Sequence, residues 1–346
     1  MADTDTKTLE LKCYCGSVHM TFDVPRADFP LFSYTCQCSS CRFTTGAPCI
    51  FHTQLTPGIQ PKFVAPSSQS NLKTYLPEGN RYSYESCTTC GCHVTCLSID
   101  RTQWIPSISI LSETGPGVFQ IKIRGFSRSV KDLGIAPYLA RMGGRDIPEY
   151  NMPPGHPQSR LVEASPEVGE DGTDRLRVQC HCAGVSFTVK RPPREVLDDM
   201  FLSAWVCPED QSRWLAAFDL CDDCRLQTGT HVNGWMFVPP SSCEPAVPPD
   251  LKMGTIKTYA SSPGVLRGFC GDCGATVFLA RADRRLSDER AIISISTGLI
   301  RAPEGFMARD WLGWRSKVAF LNDGKRFDRE FAESLEEGFK AYNPLN

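Results

Sequence analysis

Thirteen of the eighteen cysteines fall in six short clusters: Cys13/Cys15, Cys36/Cys38/Cys41, Cys87/Cys90, Cys180/Cys182, Cys221/Cys224 and Cys270/Cys273, with Cys92 close behind Cys90. Cysteines one or two residues apart grip a single metal ion well and make poor disulfide partners for each other. The chemistry this spacing points to is zinc binding, of two kinds. Cys13, Cys15, Cys87 and Cys90 make one closed set of four thiolates, and Cys180, Cys182, Cys270 and Cys273 make another. Four thiolates saturate tetrahedral zinc, leave no position for a substrate and tie distant parts of a chain together, which is structural work.

The middle cluster is different. Cys36-Gln37-Cys38-Ser39-Ser40-Cys41 supplies three thiolates, followed by Arg42, Thr45 and Gly46. Three protein ligands with an open fourth position are what a reactive zinc site needs. Three thiolates on one divalent ion leave a net negative site and a weak Lewis acid. Binding of a substrate thiol as thiolate is therefore favoured over generation of a zinc hydroxide. The plain alternative is a fourth protein ligand that closes the site, with Cys49, Cys92, His93 and Cys96 as candidates. Arg42 and Arg225 beside the two middle clusters could draw in an anionic carboxylate, and a surface or strand-pairing arginine is the equal alternative.

The elements that must position these groups repeat along the chain. Cys38, Cys41, Cys87 and Cys90 recur at Cys221, Cys224, Cys270 and Cys273 with one constant offset in numbering. Cys13 and Cys15 recur at Cys180 and Cys182 with a shorter offset, so the second copy is longer between its first two clusters. Arg42, Thr45, Gly46, Gly91 and Val94 keep the constant offset, and Lys73-Thr74-Tyr75 returns as Lys257-Thr258-Tyr259. An ordered series of this kind predicts two homologous domains, 8–150 and 175–346, joined by a Pro-, Gly- and acid-rich linker over 151–174. In the second copy Asp219 stands where the offset demands a cysteine. The Asp219/Cys221/Cys224 set either holds a fourth zinc as a variant site or has lost metal and kept a structural role. Alternating stretches at 18–22, 185–189 and 292–296 predict strands, and Phe327, Phe331, Leu335 and Phe339 predict one amphipathic C-terminal helix that packs against a core. Trp205, Trp214 and Trp235 surround the second middle cluster and are expected as core aromatics or as the lining of a pocket between the copies.

Length suits two domains. The net charge of −2 gives no general electrostatic reason to expect nucleic acid or an anionic membrane as partner. There is no apolar run of spanning length and no signal-like N-terminus, so the expected location is cytoplasmic.

The motifs Cys13-Tyr14-Cys15-Gly16, Cys36 to Gly46 with Arg42, and Cys87-Thr88-Thr89-Cys90-Gly91 resemble those of the glutathione-dependent formaldehyde-activating family, which includes centromere protein V. The second copy resembles it through Cys180-His181-Cys182, Cys221 to Gly229 and Cys270-Gly271-Asp272-Cys273-Gly274. The resemblance implies a mainly β fold, two tandem Mss4-like (β-tent) zinc-binding domains with a short C-terminal helix. It also implies carbon–sulfur lyase chemistry that interconverts S-hydroxymethylglutathione with glutathione and formaldehyde. Cys36, Cys38 and Cys41 would hold the reactive zinc, and Arg42, Thr45 and Gly46 would contact substrate. Two departures stand out: Gln37 occupies a position often held by His, and Asp219 removes a thiolate. A specialised metabolite as substrate, and a non-catalytic interaction module with purely structural zinc, are the alternatives.

Overall fold

The computed structural model describes residues 5–153, 161 and 164–342. In the N-terminal half, strands β1 (Thr6–Lys12) and β2 (His19–Pro25) form a hairpin joined by β5 (Lys62–Phe63). Strand β3 (Leu31–Cys36) pairs with β4 (Ile50–Thr53) and, in parallel, with β10 (Phe119–Gly125). A third sheet runs β6 (Leu72–Tyr75), β7 (Tyr82–Cys87), β8 (His93–Ser98) and β9 (Trp104–Pro106). One short helix, α1 (Ser39–Thr45), follows β3. The alternating stretch read at 18–22 is β2, whose inward residues Met20, Phe22 and Val24 are fully buried. The stretches at 185–189 and 292–296 lie in strands Ser186–Lys190 and Ala291–Ser296.

The C-terminal half repeats this order. Asp174–Gln179 and Ser186–Lys190 form its first hairpin, Trp214–Asp219 leads into the helix Asp222–Thr228, and Val265–Cys270 pairs with Thr276–Arg285. Here seven strands join in one sheet, because Ala291–Ser296 pairs with Asn233–Val238. In the N-terminal half the strand β9 ends at Pro106, which has no N–H to offer β4, and the two sheets are joined by an isolated bridge, His52 to Ser107, rather than by a continuous ladder.

The halves meet through reciprocal contacts. The Tyr14 N–H donates to the Leu226 carbonyl at 3.1 Å and the His181 N–H to the Phe43 carbonyl at 2.9 Å. The Ser107 hydroxyl donates to the Gly229 carbonyl at 2.7 Å, and the Ser296 hydroxyl to the Gly46 carbonyl at 2.6 Å. Each pair uses matching positions of the two halves, the pattern of a self-complementary interface. Gly46 and Gly229 cap their helices in the left-handed region (φ +79° and +73°). A Cβ on either would stand 2.1 Å from the Thr276 oxygen or 1.9 Å from the His93 oxygen.

The C-terminal four-residue repeat is two helices, Leu321–Phe327 and Arg329–Tyr342. Asp328 divides them by accepting from the Phe331 N–H at 3.1 Å, the bond of an N-cap. Phe331, Leu335 and Phe339 are buried as expected, and they bridge both halves. Phe331 packs edge-on to Phe51, and Phe339 to both Tyr138 and Phe218. The predicted linker contains an edge strand, Glu167–Val168, paired with Asp174 and Arg175; residues 154–160, 162 and 163 of it lie outside the described residues.

Candidate metal centres and their cavities

Two hairpin turns build each four-cysteine group. Cys13 and Cys15 sit in the turn between β1 and β2, and Cys87 and Cys90 in the turn between β7 and β8. Backbone N–H groups are aimed at the sulfurs: Val18 to Cys13 Sγ at 3.3 Å and Ser17 to Cys15 Sγ at 3.5 Å. The same bonds recur from Val185 to Cys180 at 3.3 Å and from Gly184 to Cys182 at 3.4 Å. Such donors favour the thiolate form.

Each quartet of sulfurs lies within 4.8 Å of one another. Measured pairs are 3.5 Å (Cys13–Cys15), 3.6 Å (Cys15–Cys87), 3.5 Å (Cys180–Cys182) and 3.4 Å (Cys182–Cys270). These are far beyond the ~2.05 Å of a disulfide and near the edge, about 3.8 Å, of a tetrahedron with ~2.3 Å zinc–sulfur bonds. Hydrogen bonds from Cys13, Cys87 and Cys90 hold Cys15 below the usual thiol range, while contacts within the same quartet push Cys13 and Cys90 above it. Cys182 is held at about 7, first by its bond from Cys180. Four such thiols cannot ionise together without a cation among them, so the donor set fits zinc.

Cys36 ends β3, Cys38 precedes α1 and Cys41 lies in its first turn, so one strand-to-helix corner gathers all three. The Cys41 thiol is 3.5 Å from Cys36 Sγ and 3.2 Å from the Tyr84 hydroxyl. Hydrogen bonds from Cys36 and Cys41 hold Cys38 well below the ordinary thiol range, and Arg42 adds to this. Burial pushes Cys36 up, and hydrogen bonds to Cys36 and Cys38 push Cys41 up. Cys36 and Cys41 line a cavity of about 600 Å³ with Tyr34, Tyr82, Tyr84, Phe126 and Tyr150. Among the described residues that line it, Arg81 is the one formally charged.

The structure places the other expected substrate contacts elsewhere. Arg42 is buried, donates from Nε to the Gln37 carbonyl at 3.3 Å and faces Phe43, behind Cys38 and off the cavity; burial lowers its pKa to about 10. The Thr45 hydroxyl donates to the Cys41 carbonyl at 2.8 Å, and Gly46 belongs to the contact between the halves. Gln37 anchors a loop, donating to the Leu133 carbonyl at 3.0 Å and accepting from the Ile135 N–H at 3.2 Å. Of the suggested fourth ligands, none groups with Cys36, Cys38 and Cys41; His93 and Cys96 instead group with His52. Sequence reading passed over His52, which carries no spacing signal because it reaches this point from β4. Burial holds both imidazoles in the neutral form, with His93 lowered to about 3.

In the C-terminal half Asp219, Cys221 and Cys224 come together at the equivalent corner. Asp219 accepts from the Cys221 N–H at 2.7 Å, and Arg267 donates to Cys224 Sγ at 3.5 Å. Arg267 occupies the place that Tyr84 holds in the first copy, against the equivalent cysteine. The adjoining cavity, about 690 Å³, is lined by Arg267, Arg281, Arg284, Arg315 and Lys317 against Glu209, Asp219 and Asp223. Trp235 lines it; Trp214 is buried in the core and the Trp205 ring packs at a tilt against Phe237. Each of these two cavities lies within one half; a smaller one of about 280 Å³ lies between the halves, lined by Arg42, Phe43, Arg301 and Pro303 and by none of the three tryptophans. Arg225 spans the halves, bonding the Ser109 carbonyl and lying 3.7 Å from the Phe327 ring centre.

Fold and site together define a mainly β protein whose cysteine clusters could hold zinc. More particularly, residues 8–114 match the family model described as glutathione-dependent formaldehyde-activating enzyme, a zinc-binding family of Mss4-like fold. The match ends within the N-terminal half. No curated protein and no solved structure matches the chain. Among the described residues no helix is long and apolar enough to cross a membrane.

Proposed function

We propose that the chain is an enzyme that makes or breaks the bond between a thiol sulfur and a carbonyl-derived carbon, working at Cys36, Cys38 and Cys41. The observation that carries this reading is a group of three buried thiols, two of which, Cys36 and Cys41, lie on the wall of a cavity, with no fourth ligand grouped with them among the described residues. When bound there, zinc would supply the positive charge that keeps a substrate sulfur as thiolate. The residues of the cavity do the rest. Its aromatic walls exclude water, and the Tyr84 hydroxyl, beside Cys41, is placed to donate a hydrogen bond to an oxygen on the carbon being attacked or released. In the releasing direction the carbon–sulfur bond of a thiohemiacetal breaks, its electron pair stays on sulfur, and the hydroxyl proton leaves as the carbonyl forms. No redox partner is required.

Family resemblance makes S-hydroxymethylglutathione the default substrate. The lining of the cavity favours a second substrate class. Formaldehyde brings a single carbon and glutathione brings carboxylates, and neither calls for a wall of aromatic rings. An adduct of a bulky, apolar aldehyde would use that surface.

We assign Cys13/Cys15/Cys87/Cys90 and Cys180/Cys182/Cys270/Cys273 to structural zinc. The chain is read as a fused pair, 8–150 and 175–346, supported by the reciprocal bonds across the halves. The test is turnover of glutathione adducts of formaldehyde and of an aromatic aldehyde, followed by NMR. Cys38→Ser should abolish it while circular dichroism stays native. Wild-type turnover of both adducts by a folded Cys38→Ser chain would end the proposal.

A further inference from the structure

Two imidazoles and a thiol converge in the N-terminal half, beside Cys36, Cys38 and Cys41 but as a separate group. His52 comes from β4, and His93 and Cys96 from β8; one ligand atom of each lies within 4.8 Å of the others. The two Nε2 atoms are 2.8 Å apart. His93 and Cys96 are three residues apart, a spacing that puts side chains on opposite faces of a regular strand. A bulge corrects this. Glu85 pairs with Thr95 but Ser86 with His93, so Val94 is the extra residue and His93 and Cys96 share a face.

We propose that His52, His93 and Cys96 bind a divalent first-row metal ion, zinc by preference, with a fourth position open to the cavity. All three residues are buried, and His52 and Cys96 line the cavity directly. The fold does not call for the trio. The C-terminal half has the same bulge, with Gly268 paired to Phe278 and Phe269 to Thr276. At the three equivalent positions of the second copy it carries Trp235, Thr276 and Leu279. The bulge thus belongs to both halves, whereas three convergent ligands belong to one.

Geometry and charge suit such an ion. With zinc–nitrogen bonds of ~2.0–2.1 Å, a tetrahedral site separates two imidazole nitrogens by about 3.3 Å. The ring pair has only to open by about half an ångström. One thiolate leaves a divalent ion with net positive charge, whereas three thiolates leave it net negative. The histidine site would be the harder of the two and would prefer a substrate oxygen. This assignment of metal does not depend on the reaction proposed above.

The deciding measurement is zinc-edge X-ray absorption on the zinc-loaded full-length chain. The other groups supply sulfur and one carboxylate, so imidazole outer-shell scattering is the signature of this trio. Its presence is expected, and a spectrum without it would overturn the proposal in favour of a hydrogen-bonded histidine pair. Cys96→Leu installs the residue of the C-terminal half and should release one metal equivalent per chain. A folded Cys96→Leu chain that keeps both the full metal content and the imidazole signal would also overturn it. Neither readout involves turnover, so failure of the proposed reaction and failure of this site are distinguishable.

Discussion

Arg267 should be the residue that keeps metal out of, or loosely held in, the C-terminal site. Its guanidinium donates to Cys224 Sγ at 3.5 Å, where the N-terminal half sets the neutral Tyr84 hydroxyl 3.2 Å from Cys41. A zinc ion bonded to Cys224 at ~2.3 Å would lie within roughly 5 Å of that guanidinium. At an effective dielectric constant near 20, the repulsion between a unit and a double charge at that distance is on the order of 6 kcal/mol. If proton loss from Cys221 and Cys224 on binding, together with relaxation, offsets half of this, about 3 kcal/mol remains, which is about a hundredfold in affinity. Arg267 is buried, so solvent cannot remove much more.

Arg267→Tyr should therefore tighten zinc at Asp219, Cys221 and Cys224 by about a hundredfold, with Arg267→Lys, which keeps the charge, as control. The assay is competition against a chromogenic chelator on the full-length chain, counting how many equivalents resist. Asp219→Cys, which restores the third thiolate, should add to the effect of Arg267→Tyr. If the tyrosine and lysine variants are both folded and release zinc at the same chelator concentration, the electrostatic reasoning is wrong.

Other substitutions probe the scaffold. Gly46→Ala forces a side chain into a left-handed turn and against the Thr276 carbonyl. It should cost more than about 2 kcal/mol in denaturant unfolding, as should Gly229→Ala; a loss under about 0.5 kcal/mol would mean the halves can separate there without consequence. Cys87→Ser opens a site that ties the β1–β2 turn to the β7–β8 turn, and binding at such sites is worth on the order of 10 kcal/mol. One zinc equivalent and the cooperative calorimetric transition should be lost together, and loss of the ion alone would contradict a structural role. Arg175 and Lys190 hold the Glu244 carboxyl at about 2, below its unfolded value. A depressed carboxylate stabilises the fold above the unfolded pKa, ~4.3, and that contribution fades as pH falls toward about 2. Glu244→Gln should flatten the stability profile between those values, and an unchanged acid slope would count against the pairing.

What the sequence made legible was what repeats at fixed spacing. The two four-cysteine groups were readable because CxC and CxxC turns carry their geometry with them, and the constant offset between the copies placed Asp219 at the corner where the structure brings it to Cys221 and Cys224. The buried stripe of Phe331, Leu335 and Phe339 was readable from helical period alone. What could not be read was contact between distant segments. Arg42, Thr45 and Gly46 follow Cys36, Cys38 and Cys41 in sequence, yet α1 turns them toward Phe43 and the other half, away from the cavity. His52 stands on β4, and only the bulge in β8 brings His93 and Cys96 to it. Helical and strand periods say which face is buried, but not which two buried faces meet.

The asymmetry between the halves is wider than the loss of one thiolate at Asp219. Tyr84 is matched by Arg267, His52 by Trp235 and Cys96 by Leu279, so the ring of residues around the second corner has changed with it. One cavity is aromatic and nearly uncharged, and the other carries five cationic side chains against three acidic ones. Aromatic walls favour an apolar adduct held by burial, whereas guanidinium groups favour carboxylates held by paired hydrogen bonds. The interface between the halves keeps a set of matched bonds, among them the Ser107–Gly229 and Ser296–Gly46 pairs. The fusion proposed above would let both hold at once. Two copies of one chain must keep both corners alike, while a fused pair needs to preserve only the surface where its halves meet.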